Sequence, residues 1–352
     1  MKFSIIVPFY NTNTQCFCRM IDSLRRQTYD NFEVIVVDDG SRKEFKELID
    51  KFDYKDLNVK IIHQANKGLP GARNTGIRNA IGDYVVFLDS DDIIPSNMLK
   101  EACTYINEYN SPDVIFGRMV YYKDSDGKAI KITRNNCEKI DLDSYLMSMK
   151  QNSKVVQYFS GKELDKVKIK ILHQDVDSII LGSSSANAYK RSVVLDCLFD
   201  ESVKICEDQI FNRNILNRIT TCLMIPNEWY GYIQYRSSML HNQAKNINIE
   251  KTISYWDKIV QVDALEPYTI KHYSNIHNVG LFCDEIKKMV MSGKGYKECE
   301  AMVKQLYSHA IVKNALEDCN LYDSSINKVK LFLFKRGYIM ALFYLYGAKT
   351  LI

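Results

Sequence analysis

The sequence predicts an α/β domain with a largely parallel sheet, continued by a mainly helical C-terminal region. Three observations predict it. Over the first 120 residues, short apolar runs alternate with segments of helical periodicity, joined by short links. Three of the apolar runs end in polar sets: Pro8–Asn11, Asp38–Ser41 and Asp89–Asp92. From about residue 248 the pattern is helical to the end.

Element by element, Phe3–Val7 reads as a strand stopped by Pro8, which has no N–H for a ladder. Cys16–Arg26 reads as a helix with Met20, Ile21 and Leu24 on one side. Glu33–Val37 is the next strand and Glu44–Phe52 the next helix. Val59–Ile62 is a strand, Ala72–Ala80 a helix, and Tyr84–Leu88 a buried strand of apolar and aromatic residues. Asn97–Tyr109 reads as a helix with Ser96 as N-cap, and Asp113–Phe116 as a strand. Residues 121–180 lose this regularity and read as an insertion or acceptor-side segment. Ala186–Tyr189 is a strand, Glu207–Arg218 a helix, and Leu223–Ile225 and Tyr230–Tyr235 are strands. Parallel strands alternating with helices bring their carboxyl ends to one edge, where open α/β sheets bind ligands.

Composition narrows the class. The 352 residues suffice for one large or two ordinary domains, and a net charge of +4 is too small to argue for nucleic acid. Ten cysteines without paired spacing fit reduced thiols better than disulfides or zinc. The N-terminus lacks the features of a signal peptide, and no apolar run reaches spanning length, so a cytoplasmic protein is expected.

Asp89-Ser90-Asp91-Asp92 places three carboxylates where the chain leaves a strand. Such charges repel unless a cation or a set of donors compensates them. Hard oxygen ligands suit Mg²⁺ or Mn²⁺ bridging a protein to phosphates. Taken alone, the run reads better as a solvated acidic turn.

The wider set resembles glycosyltransferase family 2. Ile6-Val7-Pro8-Phe9-Tyr10-Asn11, Gln27-Thr28, Val36-Val37-Asp38-Asp39-Gly40-Ser41, Asn66-Lys67-Gly68, Ala72-Arg73-Asn74-Thr75-Gly76 and Phe87-Leu88-Asp89-Ser90-Asp91-Asp92 occur in the family's order. Phe199-Asp200-Glu201 to Glu207-Asp208-Gln209-Ile210-Phe211 resembles its acceptor-side element, and Tyr235-Arg236 its later tyrosine–arginine motif. The resemblance implies a GT-A fold, Rossmann-like, with a UDP-sugar donor and inverting transfer to a saccharide or lipid-linked acceptor. On that basis residues 1–247 form the GT-A domain. Residues 1–120 are its nucleotide-sugar half, 121–247 its acceptor half, and 248–352 a helical C-terminal region.

The resemblance also distributes roles. Asp39 holds the uracil ring, because a carboxylate accepts from an imide N–H; otherwise it is a turn residue beside Gly40. Pro8, Tyr10 and Asn11 complete the nucleoside pocket, and Asn66 and Ser90 join the nucleotide-sugar set. Arg73, at the start of a helix after Gly68 and Gly71, suits a phosphate or ribose neighbour, or else pairs with the aspartates. Neither a G-x-G-x-x-G nor a Walker A sequence occurs. Asp89 and Asp91 hold Mn²⁺ or Mg²⁺, with His241 as third ligand. Asp208 is the general base, with Glu207 and Arg236 on the acceptor or phosphate side. Successive helical side chains point about 100° apart, so only one of Glu207 and Asp208 is expected to aim into the site.

Lys328, Lys330, Lys335, Arg336 and Lys349 punctuate an apolar tail without acids. This fits an interfacial helix on the inner face of the cell membrane through residues 328–352, or a helix packed on the core or on another subunit of an oligomer. Two other readings remain open: a nucleotide-sugar-binding partner protein without transfer, and a sugar-phosphate nucleotidyltransferase, whose glycine-rich N-terminal loop Ile6–Asn11 lacks.

Overall fold

The computed structural model describes residues 1–125, 128–131, 156–172, 182–203, 207–235 and 296–310, with single residues 289, 313, 332 and 336. In chain order the elements are β1 (Phe3–Phe9), α1 (Thr14–Arg25), β2 (Phe32–Asp39), α2 (Lys43–Lys51), β3 (Val59–Gln64), α3 (Gly68–Asn79), β4 (Tyr84–Phe87) and α4 (Met98–Glu108). There follow β5 (Val114–Ser125), β6 (Lys128–Lys131), β7 (Gln157–Ser160), α5 (Gly161–Leu172), β8 (Asn187–Lys190), α6 (Arg191–Leu195), α7 (Glu207–Arg218), β9 (Thr221–Gln234) and α8 (Tyr296–Ser308). Met1–Asp165 with Asp177–Tyr235 forms one compact unit, and Lys166–Val176 with Arg236–Ile352 a second.

The sheet runs β3-β2-β1-β4-β8-β5-β9-β7, with β6 beside β5. β3, β2, β1 and β4 are parallel, as expected. Beyond β4 the sheet is mixed, because β8 runs antiparallel to both β4 and β5. Strand order reverses at β1: β2 and β3 lie on one side and β4 on the other. That reversal opens the crevice where α/β sheets bind ligands.

β1 is buried along its whole length, as a central parallel strand covered on both faces must be. Phe3, Ile5, Val7 and Phe9 pack into one core with Phe17, Met20, Ile21 and Leu24 of α1 and Met98, Leu99, Ala102 and Ile106 of α4. The α1 residues recur every three or four positions, the signature of a one-faced helix. Each of the larger buried side chains contributes about 1.5–3 kcal/mol.

Several boundaries differ from expectation, each for a local reason. α1 starts at Thr14 because the Asn13 side chain accepts from the Gln15 N–H. β1 passes through Pro8 to Phe9; its pairing with β4 ends at Ile6 opposite Phe87, so no ladder bond on that side is lost. β2 retains Asp38 and Asp39, opposite His63 and Gln64 of β3. α3 starts at Gly68, not Ala72, since Pro70 is tolerated in a first turn. α4 is preceded by Asn97 without a side-chain cap, and the Ser96 carbonyl instead accepts from the Thr28 N–H. β9 is one strand rather than two; register shifts around Arg118 of β5 absorb Pro226. Part of the segment expected to be irregular is sheet, in the end of β5 with β6 and β7.

In the second unit, Cys299 and Val303 of α8 are buried, and the Cys299 thiol lies 3.4 Å from the Met289 carbonyl. Apart from Phe332 and Arg336, the tail 328–352 lies outside the described residues. Among the described residues no helix is long and apolar enough to cross a membrane, and Cys16, Cys18, Cys103, Cys197, Cys222 and Cys299 are not in disulfides.

Candidate active site

The loops after β1, β2 and β4 meet at the carboxyl edge. Asn11 donates its backbone N–H to Ser41 Oγ at 3.0 Å, and its side chain accepts from the Arg42 N–H at 2.9 Å. Asn11 adopts φ +50°, a left-handed conformation that asparagine tolerates. The Thr12 and Ser90 hydroxyls lie 2.6 Å apart, joining the β1 and β4 loops. Pro8 is buried, Tyr10 is 56% exposed at the rim, and Asn66 is exposed. Gly40 sits at φ +75°, where an added Cβ would fall 2.8 Å from the Asn66 nitrogen. Glycine therefore permits the close approach of the β2 and β3 loops.

Asp39 is buried and accepts three hydrogen bonds: from Gln64 Nε2 at 2.7 Å and from the Lys67 and Gly68 N–H groups, each at 2.8 Å. Its carboxylate thus satisfies donors at the start of α3. Two expectations for Arg73 are corrected as a result. It lies in the second turn of α3 rather than at its start, and the first N–H groups are already engaged by Asp39. Asp38 points elsewhere, accepting from the Ser41 N–H and facing His63 Nδ1 at 2.8 Å. Burial pushes the Asp38 carboxyl up, but the Ser41 and His63 bonds outweigh it and hold it below the usual range. His63 Nε2 in turn lies 2.9 Å from Asp50.

Arg73 is the hub of the site. Its guanidinium is almost wholly buried, with Nη1 2.8 Å from Asp208 Oδ1 and 3.5 Å from Glu207 Oε1, and Nη2 3.1 Å from Asp89 Oδ1. Its carbon lies 5.3 Å from the Phe199 ring centroid and 6.0 Å from that of Phe87. Phe199 stacks on Phe211 of α7 at 3.9 Å, and Phe87 meets both rings edge-on. Apolar contact thus docks α7 so that its first turn reaches Arg73. The expectation that only one of Glu207 and Asp208 enters the site is corrected: both face Nη1, because the longer glutamate reaches the same nitrogen from the adjacent helical position.

Charge is concentrated here. Burial alone would lower Arg73, but Asp208, Asp89 and Glu207 raise it, so it stays protonated. Burial, with Asp208 beside it, pushes Glu207 up to about 7 against the pull of Arg73. Burial also raises Asp208, opposed by Arg73. Asp91 is pushed up to about 6, first by burial and then by Asp89. Asp92 is fully buried and bound at both oxygens, by the Tyr230 hydroxyl at 2.6 Å and the Ile233 N–H at 2.8 Å. It is structural.

Of the sequence-derived set, the fold brings together Arg73, Asp89, Glu207 and Asp208. It places Pro8, Tyr10, Asn11, Asp39, Asn66, Ser90 and Asp91 on the same loop edge. His241 and Arg236 lie outside the described residues. Among the described residues no group of three or more His, Cys, Asp or Glu side chains is arranged to hold a metal. Sequence reading missed Asn74, whose side chain accepts from the Phe199 N–H and donates to the Phe199 carbonyl and to Glu201. It also missed Tyr230, which in sequence is indistinguishable from a core aromatic.

A parallel α/β half with an acid-rich carboxyl edge and a switch point at β1 defines a GT-A-type fold. Residues 4–173 match the model for "Glycosyl transferase family 2". It is 39% identical over 125 residues to glycosyltransferase GlyG of Streptococcus pneumoniae, covering 35% of this chain and 41% of that protein. It is 30% identical over 241 residues to the uncharacterized glycosyltransferase EpsJ of Bacillus subtilis, covering 67% of this chain and 62% of that protein. It is also 40% identical over 242 residues to the poly(ribitol-phosphate) beta-N-acetylglucosaminyltransferase TarS of Staphylococcus aureus, covering 67% of this chain and 36% of that protein. The chain thus spans less than two thirds of the length of each of these relatives. A crystal structure of part of S. aureus TarS in complex with UDP-GlcNAc superposes with a TM-score of 0.66 at 18% identity, covering 99% of this chain and 91% of that one. That likeness shows the fold.

Proposed function

We propose that the chain is an inverting glycosyltransferase that moves a sugar from a UDP-sugar to a saccharide or lipid-linked acceptor in surface polysaccharide or glycolipid assembly. The carrying observation is that Arg73 holds Asp89, 16 residues on, and Asp208, 135 residues on, side by side at the carboxyl edge. A donor-side carboxylate and a candidate base are thereby fixed to one cation. The relatives support the transferase class, and the S. aureus TarS structure with UDP-GlcNAc makes that sugar nucleotide the first donor to test.

Asp39, Pro8, Tyr10 and Asn11 would take the uridine, with Asn66 and Ser90 beside them. Asp89 and Asp91 fit a hard divalent ion: Asp89 is 31% exposed, and its charge helps push Asp91 up, leaving negative charge to be neutralised. Mn²⁺ or Mg²⁺ there, with His241 as the expected third protein ligand, would neutralise the diphosphate as it leaves. Asp208 takes the proton of the acceptor hydroxyl while that oxygen bonds to the anomeric carbon from the opposite face. The bond from carbon to phosphate oxygen breaks, and UDP departs with its electron pair. Arg73, protonated throughout, orients Asp208 and Asp89. Glu207 and Arg236 are assigned to the acceptor or phosphate side.

The test is a donor screen with purified protein, Mn²⁺ and UDP-, GDP- and TDP-sugars, scored by nucleotide release with and without saccharide acceptors. Release confined to UDP-sugars is expected. Release from none would favour a nucleotide-sugar-binding partner without transfer.

A further inference from the structure

Resting on that donor-site reading, we propose that Tyr230 is a positioning residue: its hydroxyl sets the geometry of the acidic loop that presents Asp89 and Asp91. Tyr230 is fully buried in β9. Its oxygen accepts from the Asp89 N–H at 3.2 Å and donates to Asp92 Oδ2 at 2.6 Å, so one atom ties the first acid of the loop to the last. The loop also closes on itself, with the Asp92 N–H donating to the Asp89 carbonyl at 3.1 Å.

β9 grips this loop along its length. The Ile233 N–H takes the other oxygen of Asp92, and the Tyr235 hydroxyl donates to the Asp91 carbonyl at 2.9 Å. Ile93 and Gly231 exchange backbone hydrogen bonds at 3.1 and 2.8 Å. A Cβ on Gly231 would fall 2.7 Å from Ile93, so glycine lets strand and loop lie this close. Asp89 and Asp91 make none of these bonds through their carboxylates: their backbones are anchored by β9 and Tyr235, while the Asp89 carboxylate is turned to Arg73 Nη2 at 3.1 Å. A buried hydroxyl that serves two partners at once is costly to remove, because it leaves both the Asp89 N–H and an Asp92 oxygen unpaired.

The experiment compares wild type, Tyr230→Phe and the half-buried Tyr235→Phe. UDP binding in excess Mn²⁺ is measured by calorimetry, and each melting temperature is recorded with and without Mn²⁺. Expected are a Kd for UDP roughly tenfold weaker in Tyr230→Phe, a smaller weakening in Tyr235→Phe, and a Mn²⁺-dependent rise in melting temperature reduced in both. A lower melting temperature with unchanged Kd in the variants would make Tyr230 a core residue only and overturn the proposal. If Tyr230→Phe fails to fold, Tyr235→Phe decides in the same way. Wild type that binds no UDP with Mn²⁺ sinks the donor-site reading together with this one, whereas wild-type binding with unaffected variants sinks this one alone.

Discussion

Arg73 carries a fixed positive charge in a place almost closed to water, so the carboxylates around it divide one cation among three. That division sets their acidities. Asp208 is raised by burial and restrained by Arg73. Asp208→Asn is expected to bind UDP like wild type while nucleotide release stimulated by acceptor falls by about 10²–10⁴; full-rate transfer would remove Asp208 from its role. Glu207 gives a pH prediction. Its ordinary value of 4.5 is raised to about 7 in the folded protein, so the fold binds its proton more tightly than the unfolded chain does. Its favourable contribution is present below pH 4.5 and is lost as pH rises through about 7. Glu207→Gln should flatten that decline by on the order of 2 kcal/mol, read from urea unfolding at pH 5 and pH 8.

At the scale of elements, two devices assemble the site. Asp39 fastens the start of α3 to the end of β2, so Asp39 and Arg73 are placed by the same helix. Asn74, one residue on, fastens α3 to the segment before α7 through three hydrogen bonds with Phe199 and Glu201. Because Phe199 stacks on Phe211 of α7, Asn74 indirectly sets where Glu207 and Asp208 begin. Asn74→Ala leaves buried backbone groups unpaired and should cost about 2–3 kcal/mol of stability. It should also slow transfer more than it weakens UDP binding, because the displaced element carries the proposed base, Asp208, rather than the donor loops. Denaturant titration and steady-state kinetics check the two effects separately.

For the molecule as a whole, ligand linkage supplies the readout. A donor site that binds only the folded chain raises stability by about 2.7 kcal/mol at a ligand concentration of 100 times Kd. UDP with Mn²⁺ should therefore raise the melting temperature, while GDP should do so less. The basic, apolar tail predicts association with anionic vesicles that fades at high salt and on deletion of residues 328–352. Sedimentation with vesicles tests it, and unchanged partitioning of the deleted chain would remove the tail from that role.

Much of this protein was written locally. The apolar runs specify the strands β1, β2 and β4, because central parallel strands are buried on both faces and need no alternation. Glu207–Arg218 was legible to its ends. Boundaries failed where a partner distant in sequence supplied the hydrogen bonds: β3 kept Asp38 and Asp39 in β2, and β5 absorbed Pro226 into β9. The sequence alone determined which chemical groups are available and in what order, since residue type and spacing are local properties. Only the tertiary structure decided that Arg73 faces Asp89, Glu207 and Asp208 together, that Asp39 caps α3, and that Tyr230 holds the acidic loop. Those contacts join residues from 16 to 141 positions apart, and their geometry follows from packing, which no local pattern encodes.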